Sequence, residues 1–143
     1  MNRLIFFFGL IAIGACCTPT GAGLNADALV GTGWLLEDLG GKGVLDRVQT
    51  TLQFQDGNRI AGSAGCNNYF GSFQVVNHEF SVGPIGATRK MCAPAVMDQE
   101  DRFFRALEKA QRITLEGPYL LIDCEGLDKP LKFSPIQSPK KRE

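Results

Sequence analysis

The sequence has one histidine and one tryptophan in 143 residues. A single histidine, His78, leaves no second imidazole for a histidine-based metal site or catalytic pair. Cysteine does not make up the shortfall. The five cysteines include no C-x-x-C pair, and none lies close to His78, so the usual zinc spacings are absent and no metal site is expected. Charge of one sign is also missing, with fifteen Lys+Arg against fifteen Asp+Glu. There is no basic surplus to hold a nucleic-acid backbone, and nucleic acid is excluded as a partner. No Walker or Rossmann glycine pattern occurs, and no cofactor is expected. What is abundant is glycine, at seventeen, with seven prolines, ten phenylalanines and 44% hydrophobic residues. That composition describes one globular domain with a real core and many turns, and so many short strands.

The N-terminus reads as a processing signal. Arg3 precedes an apolar stretch over residues 4–13, too short for a lasting membrane-spanning helix, and small residues Gly14 and Ala15 follow. Ile13-Gly14-Ala15-Cys16 resembles a bacterial lipobox, in which the Cys16 thiol takes a diacylglyceryl group and cleavage occurs before it. Several acyl chains on one residue anchor a protein stably. The expected organisation is a lipoprotein signal peptide at 1–15, a lipidated cysteine and flexible tether at 16–28, a domain at 29–136 and a basic tail at 137–143. The residue after Cys16 is not Asp, which favours the periplasmic face of the outer membrane over retention at the inner membrane.

The domain reads as α+β: a mainly antiparallel sheet curled into a barrel-like fold with one packed amphipathic helix. Period-two alternation at Leu52/Phe54, Phe73/Val75, Phe80/Val82, Leu120/Ile122/Cys124 and Leu131/Phe133 marks strands, and Asp56-Gly57, Asn77-His78 and Glu125-Gly126 mark turns. Residues 94–110 break that period. Val96, Phe103, Phe104, Leu107 and Ala110 fall at helical spacing behind Pro94, a suitable first helical residue. Acidic Asp98, Glu100 and Asp101 precede basic Arg105, Lys109 and Arg112, an order that suits the helix dipole. The phenylalanine stripe is expected to plug the sheet.

Two segments stand out. One runs Gly62-Ser63-Ala64-Gly65-Cys66-Asn67-Asn68-Tyr69-Phe70-Gly71, and the other Gly83-Pro84-Ile85-Gly86-Ala87-Thr88-Arg89-Lys90-Met91-Cys92. In this order, with Trp34 and the Asp56-Gly57 turn, they resemble the META domain, the HslJ-like family of bacterial envelope proteins. The matching motif residues are Gly62, Gly65, Cys66, Asn67, Asn68, Tyr69, Gly71, Pro84, Thr88, Arg89, Met91 and Cys92. The resemblance implies an antiparallel barrel-like fold with a packed helix and no established enzymatic activity. It also implies a link to heat shock or novobiocin resistance and, in some parasites, virulence.

Read as chemistry, the glycines permit close backbone approach, and Asn67 and Asn68 suit a bulge or turn. A glycine-rich anion cradle is the alternative. Arg89 is expected in an internal ion pair with Glu100 or Asp101, or else as a clamp for a carboxylate or phosphate. Cys66 and Cys92 are expected to form a disulfide worth about 3–4 kcal/mol by loop entropy. Two separate buried thiols are the rival, with Cys124 a buried free thiol in either case. No residue is nominated as catalytic. The leading expectation is a non-enzymatic, lipid-anchored envelope protein with an envelope protein or small ligand as partner. A protein-inhibitor or chaperone-like module is the alternative, and a hydrolase of unknown type the second.

The lipobox carries a direct test. Cys16→Ser is expected to abolish acyl labelling and block signal removal. Wild-type labelling of the mutant would move the acceptor elsewhere.

Overall fold

The computed structural model describes residues 23–136, so Cys16, Cys17 and the Lys140-Lys141-Arg142 run lie outside the described residues. The elements in chain order are α1 (Ala26–Leu29), β1 (Gly33–Leu39), β2 (Thr51–Gln55), β3 (Arg59–Ser63), β4 (Asn68–Val76), β5 (Glu79–Val82), β6 (Gly86–Ala87), α2 (Pro94–Leu107), β7 (Ala110–Glu116), β8 (Tyr119–Cys124) and β9 (Leu131–Pro135).

Strands run β3-β2-β1-β9-β8-β7-β5-β4, and β3 pairs back onto β4. The result is a closed, antiparallel, eight-stranded barrel. The two-residue β6 adds to β4 through Tyr69↔Ala87 and Phe70↔Gly86. Closure removes the free edges that an open sheet would expose. Eight strands enclose only enough space for side chains, so the lumen is core. Alternate residues point into it: Leu52 and Phe54 from β2, Phe73 and Val75 from β4, Leu120 and Ile122 from β8, Leu131 and Phe133 from β9. Phe54 meets Phe73 edge-on at 5.0 Å between centroids, and Phe80 lies 6.1 Å from Phe73. Such pairs add to burial through the ring quadrupole.

The strand directions give the barrel two different ends. One carries the 56–58, 77–78 and 117–118 turns and both ends of the described chain. The other carries the long β1–β2 loop, the 64–67 turn and α2. At the first end α1 buries Leu29 completely. Leu24 is also in the core, and its N–H donates to His78 Nε2 at 3.3 Å. His78 Nδ1 therefore carries the proton and donates to the Ile113 carbonyl at 3.1 Å. Of the expected tether at 16–28, residues 16–22 lie outside the described residues, whereas Leu24 and Ala26 pack onto the domain.

The helix also differs from its expected extent of 94–110. It ends at Leu107, and Ala110 opens β7 opposite Cys124. Glu108 and Lys109 N–H close the last turn on Phe104 O and Ala106 O, and the Lys109 carbonyl then accepts from Glu125 N. Strand pairing thus overrides a helical period that continued in the sequence. The dipole reading shrinks with it: the first turn holds no acid, and only Arg105 lies in the last. Asp98–Arg102 and Asp101–Arg105 form i,i+4 ion pairs along the exposed side of α2. Cys124 is a buried free thiol, its pKa pushed up to about 12, chiefly by burial and secondarily by Asp123.

Phe103 and Leu107 are fully buried, whereas Phe104 is half-buried against the core. The stripe is graded, not uniform. Phe103→Ala is expected to cost about 3–5 kcal/mol and Phe104→Ala distinctly less. Thermal melts of the two variants check the order, and equal losses would refute it.

Candidate functional site

Most of the motif residues converge where α2 meets the barrel. Glu100 lies on the inner face of α2 and is 5% exposed. Its Oε2 accepts from the backbone N–H of Asn67 at 2.7 Å and of Cys66 at 3.2 Å, and its Oε1 accepts from Asn67 Nδ2 at 2.6 Å. Asn67, 2% exposed, uses its other side for the second motif. Its Oδ1 accepts from Lys90 N at 2.6 Å and Thr88 Oγ1 at 2.9 Å, and its Nδ2 also donates to Lys90 O at 3.3 Å. Thr88 Oγ1 in turn accepts from Asn68 N, and Thr88 N donates to Asn68 O. Cys66 and Cys92 are joined by a disulfide with Cα atoms 6.0 Å apart. The helix, the 64–67 turn and the 88–92 loop are therefore one clasp. The buried side chains of Asn67 and Glu100 are paired within it, as burial requires.

Local sequence makes the clasp possible. A Cβ on Gly62 would lie 2.1 Å from the Thr51 carbonyl oxygen, so β3 approaches β2 more closely than any side chain allows. Gly65 turns at φ +113, which L side chains rarely adopt, and a Cβ there would meet Val48 at 2.7 Å. Tyr69 donates its hydroxyl to Thr51 O at 2.7 Å and packs edge-on against Phe103 and Phe104. Burial pushes its phenol well above the usual range. Gly71 on β4 pairs with Ile60 on β3, and Pro84 sits exposed in the connection between β5 and β6.

Two residues of the 88–92 loop direct their side chains away from the clasp. Arg89 is exposed and makes no ion pair among the described residues, which corrects its expected pairing with Glu100 or Asp101. Glu100 is occupied by amide donors instead, and Asp101 by Arg105. Met91 is 89% exposed. The rival reading of two separate buried thiols also fails, since the cysteines are bonded and Cys92 is exposed. The motif reading missed the role of Glu100 and Gln99. Gln99 Oε1 accepts from Leu45 N at 2.7 Å and holds the β1–β2 loop to α2. The available signal was their position: two polar residues interrupting the apolar face between Val96 and Phe103.

The outer wall carries depressions of about 620 Å³ beside residues 30–33 and about 530 Å³ across β4, β5 and β7. Phe54 and Phe80 contribute to them from beneath, being 1% and 2% exposed. Among the described residues no group of three or more His, Cys, Asp or Glu is arranged to hold a metal ion.

The META domain profile matches residues 27–137, nearly the whole described barrel. The chain belongs to the META-domain family. Its fold is shared with a protein solved by NMR, at 24% identity and TM-score 0.63, over 78% of this chain and 94% of that one. A second NMR structure, of a protein from Burkholderia xenovorans, matches at 16% identity and TM-score 0.60, over 96% and 100% of the two chains. Comparison with curated proteins gives no significant match. In this META domain the distinctive motifs build the clasp.

Glu100→Ala would strand three donors at a buried junction. A loss of about 3–5 kcal/mol is expected, from the cost of unsatisfied donors to a charged acceptor. Chemical denaturation measures it, and a loss near zero would show that the clasp contributes nothing to stability.

Proposed function

We propose that this META-domain protein is a non-enzymatic binding module of the bacterial envelope. In this reading it is held at the membrane through lipid on Cys16 and serves tolerance of heat, envelope or novobiocin-type stress. The stress role rests on the family alone, and the anchor on Ile13-Gly14-Ala15-Cys16. The Cys66–Cys92 bond suits an oxidising compartment outside the cytoplasm.

The observation that carries the binding reading is the alternation along the 88–92 loop. Thr88 and Lys90 are tied to Asn67, and Cys92 is tied to Cys66. Arg89 and Met91, between them, face solvent. A loop fixed at every second residue presents its outward side chains with little entropy left to lose on binding. Arginine and methionine are both enriched at protein interfaces. Two of the groups that a hydrolase could use are otherwise engaged: both ring nitrogens of His78 meet backbone, and both oxygens of Glu100 meet amides. That favours a protein partner over a substrate to be cleaved.

Crosslinking of the full chain in envelope fractions tests this. The unaltered protein is expected to capture a partner that the Arg89→Glu/Met91→Asp double variant loses at an unchanged melting temperature. Equal capture by both would remove the loop from the interface.

A further inference from the structure

A separate groove lies at the α2 end of the barrel and has a volume of about 240 Å³. Its floor is apolar, formed by Leu39 at the end of β1, Ala106 on α2 and Leu127 after β8. Its rim is cationic. Arg102, Arg105 and Lys109 come from α2 and the turn after it, and Lys42 comes from the β1–β2 loop. Glu125 is the one acid in the lining.

The cations are only partly spent. Lys42 and Lys109 make no ion pair among the described residues. Arg102 engages Asp98 through Nε at 2.9 Å, which leaves its terminal nitrogens open, and Arg105 engages Asp101 through a single terminal nitrogen. The helix dipole accounts for a cation in the last turn. It accounts neither for Lys42, which comes from a different element, nor for apolar side chains beneath the charges.

We propose that this groove binds an anionic amphiphile with a phosphate head. Several converging cations suit the charge of a phosphate, and the two guanidinium forks suit its geometry. The apolar floor suits the first methylenes of a tail. The volume is below that of ordinary drug-sized pockets, so the groove covers a head and a short length of chain.

Placement narrows the source. Leu39 and Leu127 lie at the α2 end, whereas residues 23 and 136 lie at the other. The described chain thus begins at the end of the barrel opposite the groove. The occupant proposed is a free amphiphile, which reaches the groove without requiring any orientation of the barrel on a surface. The inference stands whether or not Cys16 is lipidated.

The test is calorimetric titration of the full chain with decyl phosphate below its micelle concentration. Inorganic phosphate and decyltrimethylammonium are the comparison ligands, and a Lys42→Glu/Lys109→Glu variant is the comparison protein. Both lysines are exposed, so the variant is expected to melt like the unaltered protein. Decyl phosphate is expected to bind saturably. The variant and each comparison ligand are expected to bind about tenfold or more weakly. Comparing variant with unaltered chain removes any binding to the apolar residues 4–13. The proposal is overturned by an absence of saturable binding or by equal affinity of the variant. Equal affinity for inorganic phosphate would remove the apolar floor from the account. Equal affinity for the cationic amphiphile would remove the charged rim. Either result overturns it too.

Discussion

Glu100 and Asn67 form the contact on which the rest of the molecule depends. A closed barrel satisfies its own backbone, but its open end leaves aromatic rings facing water. α2 covers that end, and its buried phenylalanine holds it there by area. Apolar packing alone does not fix the helix in rotation or register. The carboxylate of Glu100 does, because it accepts from Cys66 N, Asn67 N and Asn67 Nδ2 at once. A group this buried needs all of those donors, so only one docking position satisfies it. The Cys66–Cys92 bond then makes that position covalent.

The same contact carries the surface. Asn67 is shared between Glu100 and the 88–92 loop, so the helix position and the loop conformation are set by one side chain. Rigidity at the clasp becomes rigidity of the outward residues Arg89 and Met91. The apolar-floored groove on the C-terminal half of α2 inherits the same fixed geometry, because Lys42 sits in the loop that Gln99 holds to that helix. Two surfaces of different chemistry thus rest on one buried network. Thr50 Oγ1 and Gln99 Nε2 are the buried polar side-chain atoms without a partner among the described residues.

The barrel was legible in the sequence because buried and exposed residues alternate in strands such as β2 and β8, as at Leu52 and Phe54 or Leu120 and Ile122. Asp56-Gly57 and Asn77-His78 fall at the turns between adjacent strands. Legibility failed where tertiary contacts overrode local pattern. Ala110 continues a helical period but belongs to β7, because Cys124 offers it a strand partner. Leu24 lies within the run of small residues that reads as a tether, yet it is buried. β6 is two residues long and has no period to read. At the clasp, opposite charges suggested an ion pair between Arg89 and Glu100. Backbone amides are poor sequence signals, and they were the partners instead. The disulfide was within reach because both cysteines occupy the two distinctive segments.

Amide hydrogen exchange of the full chain tests the clasp most directly. If the Glu100–Asn67 contact fixes α2 on the barrel, the amides of Cys66, Asn67 and Lys90 open only with the whole domain. They then exchange as slowly as the barrel amides of Leu52 and Ile122. Exchange of those three at the rate of an exposed turn amide such as Gly57, with the barrel still protected, would show that the helix end opens on its own and would contradict the account.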